Sequence, residues 1–194
     1  MGVLVITEHD GNEISVSTLS TITAAQALGS SLDLLVVGSG CRGAADAAAK
    51  IPGIAKVRLA DADHYANASA ESLADLVISL SGDYSHILTN HTSVGKNFLP
   101  RAAAALDVQP IADIQGVVDA DTFERPIYAG NAIATVKSSD ALKLLTVRST
   151  AFEAVATEGG SASVEDVNAA AQSELSTFVG QELTRSERPE LTSA

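Results

Sequence analysis

Four apolar runs rich in β-branched residues recur along the first half of the chain, Val3 to Glu8, Leu32 to Val37, Val57 to Ala60 and His86 to Thr89, at intervals of roughly 25 to 30 residues. Near-continuous apolar runs of this length predict strands buried on both faces. Between them lie Ala- and Leu-rich segments, Thr21 to Gly29, Ala44 to Ile51, Ala70 to Leu80 and Gly95 to Leu106, which predict helices. Ser69 and Thr92 offer hydroxyl caps to the last two, and Pro52-Gly53 stops the second. Strand and helix alternate four times, which specifies right-handed βαβ crossovers. The fold class is therefore α/β, a three-layer parallel sheet with helices on both faces.

After Asp107 the pattern changes. Gln109 to Asp119, Phe123 to Tyr128, Ala132 to Lys137 and Lys143 to Arg148 are extended runs without intervening helices, and Ala129-Gly130-Asn131 reads as a hairpin turn in which Gly and Asn tolerate positive φ. An antiparallel hairpin is expected to be added to the parallel half. The α/β domain is expected to span residues 1–157. Residues 158–194 read as a surface extension and linker: Glu158 to Ser163 is loop chemistry, Val164 to Ala171 has no apolar stripe, and Arg185 to Ala194 holds Pro189 among charges.

Composition narrows the function classes. Asp and Glu number 24 against 12 Lys and Arg, a formal charge of −12, which argues against nucleic acid or an anionic membrane surface as partner. Apolar residues make up 46% of the chain but aromatics only 4%, so the core is built from Ala, Val, Leu and Ile. No apolar run approaches the ~18 residues that span a bilayer. The strand at Val3 follows Met1 directly, with no basic leader, which suggests a soluble protein of the bacterial cytoplasm. The lone Cys41 forms no internal disulfide.

The sharpest motif is Gly38-Ser39-Gly40-Cys41-Arg42-Gly43, a G-x-G-x-x-G directly after a predicted strand, with Asp61 at the end of the next. In a Rossmann domain Gly38, Gly40 and Gly43 would cradle a pyrophosphate and Asp61 would bind ribose. The motif follows the second strand rather than the first, and a Gly-rich turn is often needed only for close packing. Both readings stand open on the residues. In Thr89 to Asn97, Asn90 and Asn97 replace the first Gly and the Ser/Thr of a phosphate loop, which leaves a hydroxyl-capped helix start with Lys96 facing solvent. His9, His64, His86 and His91 lack metal-ligand spacing, and no nucleophile is paired with a base, so neither a metal site nor a catalytic residue is legible. Glu182 and Glu187 read as solvated surface. Arg125, Tyr128, Asn131 and Arg148 fall on the antiparallel addition, where an amphipathic aromatic and planar cations suit a protein interface or merely decorate a strand edge.

Several stretches in order resemble one family. They are Gly95 to Val108, Pro110 to Ile114, Thr122 to Ala132, Thr146 to Phe152, Gly159 to Ser163 and Ser186 to Thr192. Together they are similar to the amino-terminal domain of the electron transfer flavoprotein alpha subunit. The resemblance implies an adenine nucleotide alpha hydrolase-like fold, pairing with a beta subunit, and FAD bound by a carboxy-terminal domain whose binding residues are not in this sequence. It implies electrons taken from dehydrogenases such as acyl-CoA dehydrogenases, as in fatty acid β-oxidation, and passed to a membrane quinone oxidoreductase. A eukaryotic form would work in the mitochondrial matrix. The family's AMP belongs to the beta subunit, so the resemblance makes the Gly38 to Gly43 turn structural and this domain an architectural one without catalysis. A stand-alone dinucleotide-binding enzyme and an adenine-nucleotide sensor are the competing classes.

Overall fold

A computed structural model describes residues 1–29, 31–67 and 69–182. The linker read at Arg185 to Ala194, with the Ser186 to Thr192 stretch and Glu187, lies outside these residues.

The predicted alternation is present: β1 (Gly2–Ile6), α1 (Val16–Gln26), β2 (Leu32–Gly38), α2 (Arg42–Ala48), β3 (Lys56–Asp61), α3 (Ala70–Leu80), β4 (Tyr84–Asn90) and α4 (Ser93–Ala105). β5 (Pro110–Ile114), β6 (Gly116–Val117), β7 (Thr122–Ile127), β8 (Ala132–Lys137), β9 (Lys143–Val147) and β10 (Ser163–Asp166) follow. Seven strands form one sheet in the order β10-β3-β2-β1-β4-β9-β5, every neighbouring pair parallel. Side chains alternate across it with period two. Val3, Val5, Leu34 and Val36 meet α1 and α2 on one face, while Leu4, Ile6, Leu35 and Ile87 meet α3 and α4 on the other.

The first helix begins five residues before its expected start, at Val16 rather than Thr21. Its first half buries hydroxyls instead of an apolar stripe. Thr21 Oγ1 donates to Asn90 Oδ1 at 2.7 Å, and Asn90 Nδ2 donates to Ser17 and Thr18 at 3.1 Å each. A fully buried Asn90 thus fastens the helix to the end of β4 by hydrogen bonds that hydrophobic periodicity does not register. The hydroxyl caps fall where the sequence places them: Ser69 accepts from Ser72 N, and Thr92 from Gly95 N.

The antiparallel addition is a three-stranded sheet, β6-β7-β8. The run Lys143 to Arg148 is not part of it. As β9, buried at every position, it runs parallel between β4 and β5, so the small antiparallel sheet serves as the crossover that a helix usually supplies. Fully buried Phe123 ties that sheet to the main core. In the turn after β7, Tyr128 (φ 50°), Ala129 (φ 54°) and Gly130 (φ 87°) take the left-handed conformation, while Asn131 does not (φ −74°). Beyond residue 157, β10 extends the sheet edge beside β3, with Glu165 ion-paired to Lys56 at 2.9 Å. Val164 is the single apolar residue of that strand, too little for a periodic signal. The chain then crosses the start of α3, where Ala170 N donates to Tyr65 Oη at 2.9 Å.

Candidate functional site

In a doubly wound sheet, ligands bind outside the carboxyl ends of the strands where the strand order reverses. Here that point lies at β1, between β2 and β4, and it opens a cleft of about 590 Å³. Ile6, Val37, Tyr65, Leu73 and Phe98 make its apolar floor, with Glu8, His9 and Ser39 on the rim.

The groups that would hold a phosphate there are already engaged by the chain's own carboxylates. Gly40 N donates to Asp61 Oδ1 at 2.7 Å and Cys41 N to Asp61 Oδ2 at 3.2 Å. The residue read as a ribose ligand therefore occupies the place of the pyrophosphate. Gly40 supplies the left-handed φ of +65° that the turn needs, and a Cβ on Gly43 would lie 2.9 Å from Asn12 Oδ1 and 3.2 Å from Gly11 O. Gly43 is thus a packing glycine that lets α2 abut the loop after β1. Cys41 is buried; burial, then the charge of Asp61, pushes its thiol pKa up, away from reactivity. At the start of α4, Thr92 Oγ1 donates to Glu8 Oε1 at 2.5 Å while accepting from Gly95 N, which puts a second carboxylate at the other anion-favouring helix terminus. Gly11 N donates to His9 Nδ1, so Nε2–H donates to Val37 O, both at 3.1 Å. With Asp61 held by the glycine turn and Glu8 on the rim of the cleft, the negative charge there opposes an added pyrophosphate.

Farther along the same rim, the ends of β4, β9 and β5 bring together residues far apart in sequence. Arg148, placed by the sequence on the antiparallel addition, lies instead at the end of β9. Its Nε and Nη2 donate to the two Asp113 oxygens at 3.0 and 2.5 Å. Asp113 takes φ +63° where the β5–β9 register is interrupted. Its N–H donates to Thr146 Oγ1 at 2.8 Å, and the same hydroxyl is hydrogen-bonded to His91 Nδ1, also at 2.8 Å. The hydrogen bonds of Arg148 hold the Asp113 pKa down, and burial holds that of His91 down against the opposing pull of Asp113. His86, whose Nε2–H donates to Ala120 O at 2.6 Å, is likewise lowered by burial.

All three groups have depressed folded pKa values, so each contributes stability above its unfolded pKa that is lost as pH falls through its folded value. Loss is expected to begin below about pH 6.5, from His86 and His91, and to resume below about pH 4, from Asp113. Because the Arg148 side chain is 42% exposed, screening limits the Asp113 share to about 1 kcal/mol. Urea titrations from pH 8 to pH 3 should show both windows, and Asp113→Asn should shrink the lower one, to which Asp10, Asp119, Asp121 and Glu165, also held down by hydrogen bonds, contribute the rest.

The hairpin turn carries a group of exposed apolar side chains. Tyr128 is 81% exposed, and Ile127 and Ile133 lie exposed beside it with Asn131. Arg125, on β7, sits close enough for its charge to act on both His91 and Asp113, and its buried Nε has no acceptor among the described residues. The four interface residues named from sequence thus divide: Arg125 and Arg148 join the His91 cluster, while Tyr128 and Asn131 stand at the hairpin turn. Sequence reading missed Asp113 and Glu8. Neither lies in a motif, and only the fold brings them to the rim. Among the described residues no cluster of His, Cys, Asp or Glu could hold a metal, and no helix is long and apolar enough to cross a membrane.

Comparison with known proteins places the chain among flavoproteins. A family model described as the electron transfer flavoprotein domain matches residues 3–172. An electron transfer flavoprotein subunit alpha of Pseudomonas aeruginosa is 53% identical over 194 residues, covering 100% of this chain and 63% of that protein. The subunit alpha of Paracoccus denitrificans is 49% identical, with 92% of this chain and 57% of that protein covered. The mitochondrial subunit alpha of Dictyostelium discoideum is 45% identical, with 98% and 58% covered. The chain thus spans about three fifths of the length of these curated relatives.

Proposed function

We propose, on the premise that this chain belongs to the electron transfer flavoprotein family as an alpha subunit, that its own role is architectural: it is the amino-terminal scaffold on which the electron-carrying assembly is built. In this reading it pairs with a beta subunit. FAD is held by a carboxy-terminal domain in the additional length that the relatives have, toward which residues 158–194 lead from the α/β domain at 1–157. Bound FAD would accept electrons from dehydrogenases, acyl-CoA dehydrogenases of fatty acid β-oxidation among them, and release them to a membrane quinone oxidoreductase. The bacterial cytoplasm is the compartment we infer, and the mitochondrial matrix for a eukaryotic counterpart. No turnover is assigned to the domain itself, and no step of electron transfer is routed through its residues.

The observation that carries the reading is the contrast along one molecule. The anion-binding groups of the switch-point cleft are satisfied from within, by Asp61 and Glu8, while the hairpin presents Tyr128, Ile127 and Ile133 to solvent. An aromatic with a polar tip beside β-branched residues is the composition of an interface centre. Mixing the chain with a family beta subunit in a calorimeter should give saturable 1:1 association. Tyr128→Ala should weaken it about thirtyfold, the effect of losing an interface anchor worth about 2 kcal/mol. Absence of association at tens of micromolar, or an unchanged affinity in the variant, would count against the hairpin as the interface.

A further inference from the structure

We propose that the switch-point cleft binds a small organic cation, an ammonium group carried on an apolar body; the site stands apart from the hairpin and does not depend on the interface reading above. At about 590 Å³ the cleft has the size of a small-molecule site. Its charge is of one sign. Glu8 and Asp10 both line it, and among the described residues no Lys or Arg does. Each carboxylate is held by the chain through one oxygen: Glu8 Oε1 accepts from Thr92 Oγ1, and Asp10 Oδ1 accepts from the N–H groups of Asn12 and Glu13 at 2.9 and 2.8 Å. Glu8 Oε2 and Asp10 Oδ2 are left without a hydrogen-bond partner among the described residues. His9 does not offset them, because Nδ1 accepts from Gly11 N while Nε2–H donates to Val37 O, which is the neutral ring.

A third polar group lies deeper. Thr89, on the face of β4 that carries Ile87, lines the cleft and is only 1% exposed, and its hydroxyl makes no hydrogen bond among the described residues. A buried hydroxyl without a partner carries a desolvation cost that a ligand atom bonded to it would relieve. The rest of the floor is apolar and includes the rings of Tyr65 and Phe98. Two carboxylates over such a floor repel an anion, and they do not form the ligand cluster of a metal site. A protonated amine meets both demands. Its N–H groups pair with the free carboxylate oxygens at the rim, and an apolar body bearing one polar atom covers the rings and reaches Thr89.

Three matched probes test the sign of the charge: tyramine, its alcohol counterpart tyrosol and its carboxylate counterpart phloretate, each titrated into the labelled chain and followed by amide NMR. Tyramine should perturb the amides of Glu8, Asp10, Gly38 and Ser39 saturably, with a Kd of about a millimolar, the level expected of a fragment. Tyrosol should bind about fivefold more weakly and phloretate about thirtyfold more weakly. Glu8→Gln, which keeps an acceptor for Thr92, should bring tyramine close to the level of tyrosol. Thr89→Val should weaken tyramine and tyrosol alike, about threefold. Equal binding of the three probes to the parent chain overturns the proposal whatever the variants do, since it leaves apolar contact alone as the cause. Tighter binding of phloretate than of tyramine, no saturable change up to about 20 mM tyramine, or perturbations confined to residues outside the cleft would overturn it as well.

Discussion

Replacing Gly95 by alanine is expected to destabilise the protein by roughly 3–5 kcal/mol, although alanine is the better helix former by about 1 kcal/mol. The sign follows from what lies against the first turn of α4. A Cβ on Gly95 would stand 2.1 Å from the backbone oxygen of Asn90 and 2.9 Å from Thr89 Cγ2. That oxygen cannot retreat. Asn90 closes β4 between β1 and β9, and its side chain is locked by Thr21, Ser17 and Thr18 of α1. The helix must move instead, and with it Phe98 and Leu99, both buried in the second core. A loss of this size is a large part of the ~5–15 kcal/mol that a domain has to lose. Urea denaturation should show a lowered midpoint with an unchanged slope. A variant as stable as the parent would mean that α4 sits farther from β4 than described.

Phe123→Ala is the second large effect, also expected at about 3–5 kcal/mol, because it removes a fully buried aromatic ring and leaves a cavity that the surrounding strands only partly fill. Its consequence is more specific than lost stability. Phe123 is the buried side chain by which the three-stranded sheet meets the main core, with the edge of His86 packed against it at a centroid distance of 6.4 Å. Other ties there include Val117 and Val136, packed against the same core, the Gln115 N–H bond to Glu124 O, the His86 bond to Ala120 O and the ion pair between Lys143 and Asp121. With the ring gone, the crossover from β5 to β9 should open locally before the sheet does. Limited proteolysis should then cut between residues 115 and 142 at urea concentrations where the parent is intact. Association with the beta subunit should weaken with it, since Tyr128 is positioned by the same sheet. Destabilisation below about 1 kcal/mol with unaltered proteolysis would show that the hairpin is anchored elsewhere.

The parallel half of the fold was legible because its physics is local. Val3 to Ile6 or Leu34 to Val36 are apolar on both faces, and a strand buried on both faces has nothing else to be. Where the structure departs from the sequence reading, the stabilising partner is distant. The front of α1 is held by Asn90, some seventy positions away, and hydroxyls that satisfy a buried amide look like loop residues in any hydrophobicity pattern. β9 was misplaced beside the hairpin because no helix precedes it. A crossover normally announces itself by a helix, and here a small antiparallel sheet takes that part. β10 offers one apolar residue and is recruited to the sheet edge by backbone pairing and by the Lys56–Glu165 ion pair.

The candidate site was legible in its parts and not in their relation. Gly38, Gly40, Gly43 and Asp61 are the residues of a dinucleotide fingerprint in the right order, and only the two hydrogen bonds from the turn to Asp61 reveal that the carboxylate is spent on the turn itself. A fingerprint states which backbone can approach an anion, not whose anion it is. The same holds at α4, where the capping Thr92 was visible but the Glu8 that it binds was not. The Asp113–Arg148 pair needed both the break in the β5–β9 register and the correct placement of β9.

A thermal melt of the chain with AMP, NAD and FAD, each at about a hundred times a micromolar affinity, addresses the architectural reading most directly, because a ligand bound at that level would stabilise by about 2.7 kcal/mol and raise the melting temperature by several degrees. A chain whose turn and α4 terminus are filled by Asp61 and Glu8 should shift by less than about a degree with all three. A shift of several degrees with one nucleotide, abolished by Gly40→Val, would contradict it and make the switch-point cleft a working nucleotide site.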